Sequence, residues 1–184
     1  MLTVGDPFPP FDLPACVSLE PGQEFTRITE KTHAGAWKVV FAWPMDFTFV
    51  CPTEIAAFGG MAQEFADRGA QVLGLSLDSE YVHHAWRREH PDLRHLPFPM
   101  LSDVRRELCA ALGVLGPDGL PQRAVFLVDP QDEIRFAMVT AGTVGRNPQE
   151  VLRVLDALQS DGLTPCGWTR GEPVLDPDAL LAGT

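Results

Sequence analysis

A chain of 184 residues with 45% hydrophobic and 21% charged side chains is long enough for a buried core, and its composition excludes a disordered or low-complexity protein. Acidic residues outnumber basic ones by 25 to 14, and the formal charge of −11 opposes binding to nucleic acid or anionic membranes, which need clustered positive charge. No apolar run approaches membrane-spanning length and Met1-Leu2-Thr3-Val4-Gly5-Asp6-Pro7 lacks the basic-then-apolar order of a signal peptide, so a cytoplasmic location is expected.

Along the chain, strand-like and helix-like patterns alternate. Lys38-Val39-Val40-Phe41-Ala42-Trp43 is apolar, β-branched and aromatic, which predicts a buried strand. Pro52 suits the first turn of a helix running through Glu54, Ile55, Phe58, Met61 and Phe65. Residues 70–77 predict a second buried strand, stopped by Asp78-Ser79. A helix over residues 81–90 and a loop over 91–99 follow. Asp103 is placed to cap a helix with Val104, Leu108 and Leu112 on its apolar face. Gly116-Pro117-Asp118-Gly119 marks a turn. The runs 124–129 and 133–139 are separated by Pro130-Gln131-Asp132, short enough for an antiparallel hairpin.

Asn147, Pro148 and Glu150 mark the start of a last long helix as cap, first residue and capping-box acid, with Val151, Val154, Leu155 and Leu158 facing inward. This order describes an α/β sheet with helices on both faces and is compatible with a thioredoxin-like fold. Residues 1–161 are expected to form that domain. Residues 162–184, rich in Gly, Pro and Asp, are expected to form a tail ordered by a partner surface.

The four cysteines, Cys16, Cys51, Cys109 and Cys166, form no C-x-x-C pair, and the five histidines, 33, 83, 84, 90 and 95, show no H-E-x-x-H spacing. Neither a disulfide scaffold nor a metal site is expected, and the histidines are assigned to surface or polar packing. Cys109, in Glu107-Leu108-Cys109-Ala110-Ala111-Leu112, has the surroundings of a packed core thiol. Cys16 is expected to be structural, in a loop or edge strand.

Cys51 differs. It falls between a predicted strand and a predicted helix, where unpaired backbone N–H groups and the helix dipole favour a thiolate. Thr48, three residues earlier, offers a hydroxyl to thiolate or substrate, or caps the helix. Pro44 has no N–H and can shield a thiolate from water, or simply stops the strand.

The segment Pro44-Met45-Asp46-Phe47-Thr48-Phe49-Val50-Cys51-Pro52-Thr53-Glu54 resembles the peroxidatic motif of the peroxiredoxins. The similarity extends through Leu73-Gly74-Leu75-Ser76-Leu77-Asp78-Ser79, Phe98-Pro99-Met100-Leu101-Ser102-Asp103 and Val144-Gly145-Arg146-Asn147 to Cys166-Gly167-Trp168. It is closest to typical two-cysteine members, the alkyl hydroperoxide reductase C subunits of actinobacterial type.

The resemblance implies a thioredoxin-like fold with added segments and a thiol peroxidase acting on hydrogen peroxide and organic hydroperoxides. No bound cofactor is implied. Cys51 would become a sulfenic acid and then an intersubunit disulfide, reduced by an external thiol; homodimers, often in rings, are implied with it. Arg123, which without the family would be read as a surface charge, would hold the thiolate and transition state. Glu54 and Arg146 are expected to pair beside the site, because a carboxylate near a thiolate needs an offsetting cation. Trp86 is expected near Cys51.

Cys166 is the resolving candidate, although it stands two residues before Trp168 and Thr164 occupies the usual place, four before. Resolution by an outside thiol is therefore an alternative, as is a holdase or redox relay. A thioredoxin-like disulfide reductase is disfavoured because Glu54 stands where C-x-x-C needs its second cysteine. The Gly-Gly-Leu-Gly loop and Tyr-Phe tail that accompany easy overoxidation are missing, which predicts a robust enzyme.

Charge tuning alone would not suffice for such a peroxidase. Lowering a thiol's pKa from ~8.5 to ~6 raises its thiolate fraction about 30-fold at pH 7, while a Brønsted slope of ~0.4–0.5 removes about 10-fold in nucleophilicity. Orientation of the peroxide and stabilisation of the breaking O–O bond must supply the rest.

Overall fold

Side chains alternate across a strand, so a strand with apolar residues at nearly every position needs cover on both faces. The strand Trp37–Ala42 is of this kind: Val39, Val40, Phe41 and Ala42 are all buried. The computed structural model describes residues 1–182, which fall into two compact units, one ending at Pro148 and one starting at Gln149.

The first unit contains strands β1 (Asp12–Cys16), β2 (Phe25–Thr29), β3 (Trp37–Ala42), β4 (Ala70–Ser76), β5 (Met100–Ser102), β6 (Arg123–Val128) and β7 (Ile134–Thr140). Its helices are α1 (Cys51–Gly60), α2 (Ala62–Ala66), α3 (Glu80–Glu89) and α4 (Glu107–Leu112), with a 3-10 turn over Pro91–Leu93. The strand order is β2-β1-β5-β4-β3-β6-β7. β4 runs parallel to β3 and β5, and the remaining pairs are antiparallel.

One face of the sheet packs Val40, Ala42, Ala124, Phe126 and Val128 with Leu108, Cys109 and Leu112 of α4. On the opposite face Phe41 stacks on Phe58 of α1, with ring centroids 4.3 Å apart, and meets Phe98 edge-on; Phe58 stacks in turn on Phe65 of α2. Truncating Phe41 or Phe58 would cost about 3–5 kcal/mol. This aromatic layer fixes α1, and so its first residue, against β3.

The predicted strands near residues 38–43, 70–77, 124–129 and 133–139 are present, the last two as an antiparallel pair. The predicted helix through Phe65 is two helices that meet at Met61, because Gly59-Gly60 weakens the helix end. Three strands escaped the sequence reading. β5 has only three residues, too few for a period to show. β2 is a largely exposed edge strand, and β1 contains Pro14, which argues against a strand. Pro14 is in register with Arg27 of β2, whereas β5 pairs only with Ala15 and Cys16, so on the β5 side the proline has no ladder partner.

Three further expectations are corrected. Cys16 lies in β1 between β2 and β5, not in a loop or edge strand, and is fully buried. Val104 is exposed, because α4 starts only at Glu107 after the left-handed Arg106; the Asp103 carboxylate accepts from the N–H groups of Glu107 at 2.9 Å and Cys109 at 2.7 Å. Val154 and Leu158 of the last helix are half-buried, while Val151, Leu152 and Leu155 are buried.

The second unit begins within α5 (Pro148–Leu158), which starts at Pro148 as expected, and includes α6 (Pro177–Ala182). Leu175 N–H donates to the Leu163 carbonyl at 2.8 Å, closing the base of the segment that carries Cys166.

Candidate active site

The segment between β3 and α1 must end the strand, turn and deliver Cys51 to the start of a helix. It is anchored at Asp46, whose buried carboxylate accepts from the Trp43 indole N–H at 2.8 Å and lies 2.6 Å from His83 Nδ1. The Asp46 N–H donates to Asp78 at 2.9 Å, and the other ring nitrogen of His83 lies 3.3 Å from the Leu101 carbonyl. Burial pushes the Asp46 carboxyl up, against the opposing pull of His83. Next, Phe47 adopts a left-handed φ of 55°, at a cost of about 1–2 kcal/mol for a non-glycine residue. Met45, Phe47 and Phe49 are thereby left exposed, while Asp46 is held inside.

Cys51 is the first residue of α1 and is fully buried. Val50 precedes it without a side-chain cap, and Pro52 occupies the first turn, as predicted. Glu54 lies one turn on, on the same helix face. From β6, Arg123 reaches both: its Nη1 donates to Cys51 Sγ at 3.2 Å and to Glu54 Oε2 at 2.5 Å, while its Nε donates to the Gly142 carbonyl at 2.8 Å. Arg123 is only 4% exposed, which overturns the surface-charge reading.

Arg146 completes the cluster. Its backbone N–H and Nε donate to Glu54 Oε1 at 2.7 and 2.8 Å, and Nη2 donates to Oε2 at 3.1 Å. Its Nη1 donates to the carbonyls of Ala42 and Ala124, and its guanidinium lies 5.5 Å from the Phe41 ring centroid. The expected Glu54–Arg146 ion pair is therefore present and buried. Burial would push the Glu54 carboxyl up, but the hydrogen bonds and charge of Arg146, with the charge of Arg123, hold it below the usual range. Two buried guanidinium groups face one carboxylate. The side chains assembled beside Cys51 therefore carry one cation more than they carry anions, an environment that favours negative charge.

Pro44 is half-buried at the end of β3. The Thr48 hydroxyl donates to the Met45 carbonyl at 3.0 Å and so does not donate to Cys51; its oxygen can still accept a hydrogen bond from a substrate O–H. Trp86 is buried against Phe47, with ring centroids 5.8 Å apart, so it supports the loop. In the second unit, Cys166 is exposed at the tip of a tight turn. The thiols of Cys16 and Cys109 are pushed up chiefly by burial; Arg87 opposes this at Cys16, and Asp103 adds to it at Cys109. Among the described residues no three histidine, cysteine, aspartate or glutamate side chains converge as a metal site would require.

The anchoring by Asp46 was not foreseen. The sequence offers only an acid between two apolar residues, Met45 and Phe47, and its reading of His83 as surface or polar packing names no partner.

Residues 4–137 match the model of the AhpC/TSA family. The alkyl hydroperoxide reductase C of Mycolicibacterium smegmatis is 56% identical over 191 residues, spanning 100% of this chain and 98% of the relative. That of Mycobacterium tuberculosis is 56% identical over 189 residues, 98% of this chain and 97% of its own. The solved structure of Mycobacterium tuberculosis AhpC superposes with a TM-score of 0.85 over 91% of this chain and 99% of its own. The reduced 2-Cys peroxiredoxin of Plasmodium vivax, 28% identical, superposes with a TM-score of 0.90 over 100% of both chains.

Proposed function

The chain belongs to the AhpC/TSA family and is a thiol-dependent peroxidase with the thioredoxin-like peroxiredoxin fold, and from this we propose that Cys51 is the residue that attacks the peroxide. The observation that carries the assignment is Arg123, whose Nη1 lies 3.2 Å from Cys51 Sγ while bridging to Glu54.

In the proposed first step the Cys51 thiolate attacks the terminal oxygen of hydrogen peroxide or an organic hydroperoxide. A sulfur electron pair forms the S–O bond, the O–O bond breaks, and the departing oxygen takes a proton to leave as water or an alcohol. The Thr48 hydroxyl, its own proton committed to Met45, accepts the peroxide O–H and orients it. Arg123 stabilises the charge that spreads over sulfur and both oxygens, and Pro44 keeps water from the thiolate. Glu54 and Arg146 act through Arg123 by fixing its guanidinium in place.

In the second step the Cys166 thiol of a second subunit condenses with the Cys51 sulfenic acid, giving a disulfide and one water. An external thiol reductant then returns both cysteines. This cycle implies a homodimer, and rings of dimers are consistent with it. A cytoplasmic location is part of the proposal; among the described residues no helix is long and apolar enough to cross a membrane.

Thr164, at the position where a resolving cysteine usually stands, favours the competing reading in which an outside thiol resolves Cys51. The test is peroxide consumption by C51S and C166S. Loss of all turnover in C51S, with a single Cys51 oxidation in C166S, supports the two-cysteine cycle. Full multiple turnover by C166S with a monothiol donor supports the competing one.

A further inference from the structure

We propose that Arg87 forms the floor of a second site, sharing no lining residue with the Cys51 cluster, which binds a phosphate group between Arg87 below and Arg94 and His95 at the rim.

Arg87 lies on α3, next to Trp86, and is 2% exposed. Its Nη1 donates to the Cys16 carbonyl at 3.3 Å and its Nη2 to the Leu96 carbonyl at 2.7 Å. Its Nε is buried and has no hydrogen-bond partner among the described residues. A guanidinium carries five N–H donors, so two carbonyls leave much of its capacity unused.

Its charge is equally unmatched. The other two buried arginines, Arg123 and Arg146, are each paired with Glu54. Burial lowers the pKa of Arg87, opposed only by Cys16, and no carboxylate offsets the cation. Burial also pushes the Cys16 thiol up, so that sulfur stays uncharged beside it. A buried cation without an anion is costly, and carbonyl dipoles repay only part of that cost.

Arg87 lines a cavity of about 440 Å³ bounded by residues 17–20, which follow β1, and by residues 94–96, which follow the 3-10 turn. Arg94 and His95 line the same cavity and are exposed. Arg94 Nη2 donates to the Arg88 carbonyl at 3.1 Å, which holds that guanidinium near the end of α3. The lining includes one carboxylate, Glu20, also exposed. In a chain of formal charge −11 the overall field repels anions, so this local excess of cations runs against the trend.

Donors from three side chains around one opening suit a tetrahedral group with several oxygens, and arginine is the residue best shaped for phosphate. Val17, Leu19 and Leu96 add apolar wall, which leaves room for a carbon group attached to the phosphate.

The test is calorimetric titration of the full, reduced chain with inorganic phosphate, against sodium chloride at equal ionic strength, for wild type, R87M and R94Q. The expected result is one saturable site in wild type, no binding in R87M, and affinity about tenfold weaker in R94Q, the loss of one hydrogen bond to a charged group. R87M also removes two ties to backbone carbonyls. If it fails to fold, R94Q decides, since its side chain is exposed; circular dichroism and peroxide turnover at the wild-type rate show that R94Q is intact. Equal phosphate affinity in wild type and R94Q, or a wild-type response no greater than that to chloride, would overturn the site. Phenyl phosphate separates the two sources of such a group: tighter binding than inorganic phosphate supports a phosphate ester, and equal binding supports the free ion.

Discussion

Cys51 and Cys109 are both fully buried and both stand in the first turn of a helix, yet their surroundings have opposite sign. Cys51 receives a hydrogen bond from the Arg123 guanidinium, with Arg146 one carboxylate away. Cys109 lies against Asp103, whose carboxylate is held by the Cys109 N–H itself; burial first and that charge second push its thiol far up. A helix start is therefore not enough to make a nucleophile. The side-chain charge carried in from distant segments decides, and a backbone donor already engaged by a carboxylate has nothing left for a thiolate.

The largest effect should come from exchanging the two sulfurs' fates. C51S should abolish peroxidase turnover while C109A retains it, measured by peroxide consumption; a dead C109A of normal fold would break the contrast. Removing the charge that separates the sites comes next. R123M should lower the second-order rate constant for peroxide about 10²–10³-fold, the loss expected when one donor to a developing charge is removed. A rate within about threefold of wild type would mean that Arg123 is structural.

Glu54 holds the cations, so E54Q should leave two buried guanidinium groups facing one another and destabilise the fold by about 3–5 kcal/mol, read from urea unfolding. The same carboxylate gives a pH signature. Its folded pKa is depressed below the ordinary value of 4.5, so its contribution to stability is complete above about pH 4.5 and is lost as pH falls through the lower, folded value. Wild type should lose more stability than E54Q over that acid range, and parallel curves would contradict the burial of a charged Glu54. The smallest effect is C109A itself, about 1–2 kcal/mol for loss of a packed sulfur with the peroxide rate unchanged.

The sequence carried the local parts of this contrast and missed those that depend on tertiary meeting. The Thr-x-x-Cys-Pro run placed Cys51 on a helix start because proline and the apolar strand before it are local signals. Cys109 was assigned to packing from its apolar neighbours, which is where it lies. Arg123 and Arg146 stand 72 and 95 residues beyond Cys51, and nothing in their own neighbourhoods distinguishes them from surface arginines; only the family pattern brought them forward. The pairing of Asp46 with His83 escaped because it is made by packing across elements. β5, three residues long, was invisible for a simpler reason, since a period cannot show in so short a run.

The contrast between the thiols is tested most directly by giving the reduced protein one equivalent of hydrogen peroxide, quenching at intervals and mapping all four cysteines by non-reducing mass spectrometry. The account predicts sulfenic acid at Cys51 first, then an intersubunit Cys51–Cys166 disulfide, with Cys16 and Cys109 remaining thiols throughout. Oxidation of Cys109 or Cys16 at a rate matching Cys51 would contradict it, because burial beside a carboxylate or within the sheet would then be no barrier to reaction.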